Sequence, residues 1–70
     1  MELIEVKGQI ATVRWKEEEE LPQLLEILTC PKNPKIKLEV HSFGQENKIY
    51  CLSLSPTDVL VRGMPIAATG

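Results

Sequence analysis

His41 is the only histidine in the 70-residue chain, so no pair of imidazoles exists to share a metal or relay a proton. Ser42, Ser53 and Ser55 lie near it in sequence, and none sits in the G-x-S-x-G elbow that presents a hydrolase nucleophile. The alternation of Lys35–His41 places the imidazole among charged residues, which reads as an exposed or interface histidine rather than a general base. Cys30 and Cys51 form no C-x-x-C pair and read as two unpaired thiols, not as a zinc knuckle or a redox motif. Gly8, Gly44, Gly63 and Gly70 are too far apart for G-x-G-x-x-G or a phosphate loop, so no nucleotide is cradled by those routes. The residues thus offer no reaction of their own, and no cofactor or metal is expected in this chain.

Eight basic residues stand against ten acidic ones, a net charge of −2. Trp15, Phe43 and Tyr50 could stack on bases as in oligonucleotide-binding barrels, but the concentrated positive face that mechanism needs is missing. Nucleic acid is therefore disfavoured as a partner, and packing in a core or an interface is the expected use of the rings. Arg62, between Val61 and Gly63, either forks onto a carboxylate or carbonyls or is a plain surface arginine; both readings stay open. With 43% hydrophobic and 26% charged residues, the chain is expected to fold as a single soluble domain spanning residues 1–70. No apolar run approaches the roughly 18–20 residues that cross a bilayer, and Met1–Glu5 lacks the basic and apolar regions of a signal peptide. Membrane insertion is not expected, and an intracellular location is.

The elements that would position these residues are short strands. In the first fifteen residues, Ile4 and Val6 share one face while Ala11, Val13 and Trp15 share the other parity, with Gly8 at the changeover. A glycine there predicts a bulge or bend, hence one long bent strand or two short ones. Lys16 and the four glutamates Glu17–Glu20 read as an exposed connection, since like charges repel. A short strand is expected between Pro22 and Pro31, then a turn at Pro31–Pro34. Lys35–His41 is the clearest strand, with Ile36, Leu38 and Val40 facing a core. Phe43–Asn47 supplies a turn, and Lys48–Leu54 returns with Tyr50, Leu52 and Leu54 on one face. Ile49 and Cys51 then lie on a second apolar face, as if the outside of that strand were also covered. A last strand runs from Val59, limited by Gly63 and Pro65. This pattern predicts an all-β fold, a small six-stranded antiparallel β-barrel, closed so that no sheet edge stays bare.

Taken in order, these segments resemble the N-terminal β-barrel domain of the F-type ATP synthase beta subunit over nearly the whole chain. The resemblance is carried by Gly8-Gln9-Ile10 leading to Val13, by Glu20-Leu21-Pro22 with Leu25 and Leu28, and by Leu38-Glu39-Val40 followed by Gly44. It continues through Thr57, Leu60-Val61-Arg62-Gly63 and the closing Thr69-Gly70. Val59 stands where the family usually has glycine, and Ile27 where it usually has alanine. Alpha subunits and vacuolar-type relatives carry a similar barrel but lack the Leu-Pro segment. The resemblance implies the N-terminal portion of a longer subunit, whose barrel packs beside those of neighbouring alpha and beta subunits and holds a six-member ring together. It places the catalytic residues, ATP or ADP and magnesium in a nucleotide-binding domain absent from this chain. It also places the parent peripherally on an energy-transducing membrane. On this reading Lys35, Lys37, Glu39, Ile49, Cys51 and Arg62 are the candidate subunit-interface residues. An oligonucleotide-barrel-type binding module, or the barrel of an alpha-type or vacuolar-type subunit, is the alternative.

Overall fold

A computed structural model describes residues 1–69; Gly70, the last residue of the terminal Thr-Gly match, lies outside the described residues. Six strands form one antiparallel sheet: β1 (Glu2–Lys7), β2 (Ile10–Arg14), β3 (Ile27–Cys30), β4 (Asn33–Phe43), β5 (Lys48–Ser53) and β6 (Ala67–Ala68). Their order in the sheet is β1-β2-β5-β4-β3-β6. The only helical turn among the described residues is a 3-10 turn at Thr57–Val59.

The first fifteen residues form two strands joined at Gly8 and Gln9. Gly8 takes φ 57°, the conformation a two-residue hairpin demands at its first turn position, and a side chain there would meet nothing within 4 Å. The glycine is therefore needed for its dihedral, not for space. Ala11 and Val13 point inward as their parity predicts. On β1 the phase changes at a bulge between Leu3 and Glu5, so Leu3 opposes Val13 and Val6 opposes Ala11. Leu3 is fully buried and Val6 packs against the core, while Ile4 faces the other way. The expectation that Ile4 and Val6 share a face is corrected by that extra residue.

β4 has the expected phase, with Ile36, Leu38 and Val40 all fully buried, but it begins earlier, at Asn33. The turn before it shortens to Pro31 and Lys32, with Cys30 opposite Asn33. Pro34 is accommodated beside the irregular register between Leu28 and Cys30, where the ladder asks no regular N–H of it. Upstream, only Ile27–Cys30 becomes strand. Leu21–Glu26 is irregular, and Leu25 sits at φ 68° with its N–H donating to the Val40 carbonyl (2.7 Å).

β5 reverses the expected phase. Ile49, Cys51 and Ser53 are buried, Tyr50 and Leu52 are half-buried, and Leu54 is 52% exposed. Register decides this: Val13 opposes Ile49, while Ala11 and Val40 flank Cys51 from either side. Both parities of β5 are apolar, so only its neighbours choose which face is core. Ser53, inward but polar, donates its hydroxyl to the Ser55 carbonyl (2.8 Å).

The closed barrel is also corrected. β1 and β6 are the two ends of the sheet, and no ladder joins them. Instead residues 63–66 run beside β1: Gly63 N–H donates to Leu3 O (2.7 Å), Leu3 N–H to Met64 O (3.0 Å) and Ile66 N–H to Met1 O (2.8 Å). One isolated bridge, Glu2 to Pro65, lies among them. Pro65 has no N–H to give, and Gly63 at φ 92° leaves the extended region, so a regular strand cannot form along this seam. The sheet is curled, with extents of 28 × 23 × 21 Å, and stitched rather than sealed. Its core holds Leu3, Ala11, Val13, Leu28, Cys30, Ile36, Leu38, Val40, Ile49, Cys51 and Ile66.

Two local contacts yield tests. At Gly44 a Cβ would lie 2.6 Å from Tyr50 Cε2 and 2.9 Å from its hydroxyl oxygen, because the ring lies across the bare backbone. Gly44→Ala is expected to destabilise by about 1–3 kcal/mol in urea unfolding; combining it with Tyr50→Ala removes the clash, and the second change then costs less than it does alone. In the acidic connection Glu19 accepts from the Met1 α-amine (2.6 Å) and from Lys16 N–H (2.8 Å), and these bonds, in that order, lower its pKa from the ordinary 4.5. Because the folded value lies below the unfolded one, the contribution is present above pH 4.5 and is lost as pH falls through the folded value. Glu19→Gln should therefore lower stability at pH 7 by at most about 1 kcal/mol, with the difference from the parent vanishing in acid.

Candidate functional site

Each strand of a half-buried sheet shows alternate side chains to solvent, so the outer face is read from the residues between the buried ones. On β4 these are Lys35, Lys37 and Glu39, all on the outside as their parity predicts. Glu39 Oε1 pairs with His41 Nε2 at 3.0 Å on that exposed face. The imidazole, nearly half exposed, therefore spends its contact on a neighbour two residues away. Among the described residues no group of three or more His, Cys, Asp or Glu side chains could hold a metal ion.

Ile49 and Cys51 do not belong with the outer residues. Both are fully buried, so as interface positions they are corrected: the register with β2 and β4 turns them inward. Desolvation alone pushes the Cys51 thiol up to about 12. Cys30 is buried too, and both cysteines are free.

Two depressions of the surface hold sequence-chosen residues and differ in chemistry. One, of about 450 Å³, lies where β3, the start of β4 and the chain after β5 meet, lined by Ile27, Thr29, Pro34, Lys37, Leu54 and Thr69. Two hydrogen bonds hold its rim: Leu54 N–H donates to Lys37 O (2.9 Å), and the Thr69 hydroxyl Oγ1 donates to Ile27 O (3.0 Å). It is mainly apolar and contains one of the sequence-chosen residues, Lys37. The other, of about 210 Å³, spans β1, β2 and β5 and is lined by Thr12, Arg14, Lys48, Tyr50 and Arg62, with Ile4 and Glu5 on its β1 side. Arg62 thus lies in a different depression from Lys37. Among the described residues it makes no ion pair with a carboxylate.

Arg14, Lys48 and Thr12 were not singled out by sequence, because their neighbourhood exists only once β2 and β5 are paired. The available signal was the outward parity of Ile10, Thr12 and Arg14. Leu54, grouped by parity with Tyr50 and Leu52, gives no signal of exposure in the sequence; Leu24 and Leu25 are bare too, at 58% and 65% exposed.

The geometry defines an all-β module with shallow outer surfaces. No family model matches the chain. Over 68 residues, 97% of this chain, it is 31% identical to ATP synthase subunit beta 2 of Shewanella frigidimarina (strain NCIMB 400), of which it spans 14%. The chain is thus related in sequence to the ATP synthase beta subunit, as its motifs imply.

Burial predicts inert thiols. Native protein at pH 8 should leave Cys51 and Cys30 unmodified by a thiol-specific disulfide reagent, with both reacting promptly in denaturant. Fast labelling of folded protein would contradict the inward phase of β5.

Proposed function

We propose that this chain is the N-terminal assembly domain of the catalytic beta subunit of an F-type ATP synthase. Its role is to hold the ring of alternating alpha and beta subunits together while contributing no catalytic residue. The observation that carries this reading is that the likeness to a beta subunit runs through 68 residues, the extent of one continuous six-stranded sheet, rather than through a single motif. ATP or ADP and magnesium would be handled by another domain of the parent, which would sit peripherally on an energy-transducing membrane. Among the described residues, no helix is long and apolar enough to cross one.

The surfaces suit side-by-side packing. A depression rimmed by Leu54, Ile27 and Pro34, with Lys37 at its edge, combines an apolar centre with a charged border, as partner-facing patches do. Lys35, Lys37 and Glu39 on the same strand supply charges that can pair across a boundary. One small module offers each neighbour only a modest contact, so the isolated chain is expected to be monomeric or weakly associating.

Two measurements test the proposal. In sedimentation velocity with the alpha subunit of the same organism, the chain should co-sediment, and Leu54→Asp should weaken the association at least about tenfold. Calorimetric titration with ATP or ADP should show no heat at micromolar concentrations; micromolar nucleotide binding by this chain would overturn the reading. A coding sequence that continues into a phosphate loop within about the next hundred residues would support it strongly.

A further inference from the structure

The depression over β1, β2 and β5 has a feature that ring assembly does not explain. Arg14 and Lys48 are direct partners across the β2–β5 ladder, and like charges so placed repel. Arg62 adds a third cation from the chain preceding the seam. In a chain with more acidic than basic residues, three converging cations form a local inversion of sign. Two carboxylates nearby offset these three cations only in part. Glu2 faces Arg14 from β1 and Glu5 lines the rim, yet among the described residues neither makes an ion pair with Arg14, Lys48 or Arg62.

The remaining lining is donor-rich. Tyr50 and Thr12 oppose each other across the ladder; both line the hollow, to which Thr12 brings a hydroxyl, while the Tyr50 hydroxyl lies toward Gly44. Thr12 is only 5% exposed, so its position is fixed by the sheet, and the Tyr50 ring is held against the bare backbone of Gly44. Guanidinium forks and an ammonium beside the Thr12 hydroxyl match an acceptor-only group of double negative charge. A volume of about 210 Å³ admits one such group and little more.

We propose that this depression binds a phosphate-type oxyanion, either free inorganic phosphate or the phosphoryl group of a small ester. The site is independent of the assembly role: its affinity is millimolar, as befits a shallow, solvated hollow, and its loss would leave the alpha-subunit contact at Leu54 intact. Glu5 opposes the bound charge and sets the limit on affinity.

Amide and side-chain NMR titration of the full chain with inorganic phosphate tests it, at constant ionic strength balanced with chloride so that screening alone produces no shift. Saturating shifts are expected at Arg14, Lys48, Tyr50 and Arg62. Arg14→Gln and Arg62→Gln, both at exposed positions, should each weaken binding at least about fivefold, while Lys35→Gln on β4 leaves it unchanged. Glu5→Gln should tighten binding about twofold or more, a gain that a damaged fold cannot mimic. Glycerol phosphate in place of phosphate distinguishes the sources: tighter binding of the ester assigns a phosphoryl group, weaker binding the free ion. Shifts that remain linear to about 50 mM phosphate, or arginine variants that titrate like Lys35→Gln, would overturn the proposal.

Discussion

The register of β5 between β2 and β4 is the constraint on which the rest of the molecule depends. Cys51 is flanked by Ala11 on one side and Val40 on the other, and all three are fully buried. From that row the alternation propagates: Ile49 and Ser53 inward on β5, Val13 on β2, Leu38 and Ile36 on β4. A slip of β5 by one residue would turn Ile49, Cys51 and Ser53 outward and Lys48, Tyr50 and Leu52 inward against the faces of β2 and β4. In a domain this small, no other set of contacts could compensate. The same row fixes the outside, because it leaves Thr12 and Arg14 on β2 and Lys48 and Tyr50 on β5 to line the hollow.

A second constraint acts at the sheet's ends. An exposed edge would invite pairing with other chains, and the usual remedy is to close the sheet. Here the chain reaches the remedy only partly. Gly63 and Pro65 interrupt the segment that meets β1, β6 is two residues long, and the join consists of a few backbone hydrogen bonds with Ile66 tucked beneath. Val59 sits in a 3-10 turn that keeps its φ negative, so it carries no backbone strain.

How far this was legible from sequence differs from strand to strand. β4 was legible because its two parities differ sharply, Ile36, Leu38 and Val40 against Lys35, Lys37 and Glu39. β5 was not, since Ile49 and Cys51 are as apolar as Leu52 and Leu54, and only its partners choose between them. The bulge on β1 left no mark, because Leu3, Ile4 and Val6 are interchangeable by hydropathy. Gly8 did signal a change of direction, although it makes a hairpin turn rather than a bulge. The family likeness was legible from ordered short matches. The hollow was not, since it is assembled from residues on three strands and the connection after β5, and a cross-strand pair of cations is invisible until the ladder is drawn.

The stitched seam has a mechanical corollary. A load applied at the carboxyl end first meets the two-residue β6 and the bonds of residues 63–66, which join it to β3 and β1, before it reaches the central ladder. Those bonds can break in succession while β2, β5 and β4 stay zipped, so the tail behaves as a tear strip over an intact sheet. Strain arriving from that end is spent at the margin, and the buried row around Cys51 is the last region to feel it.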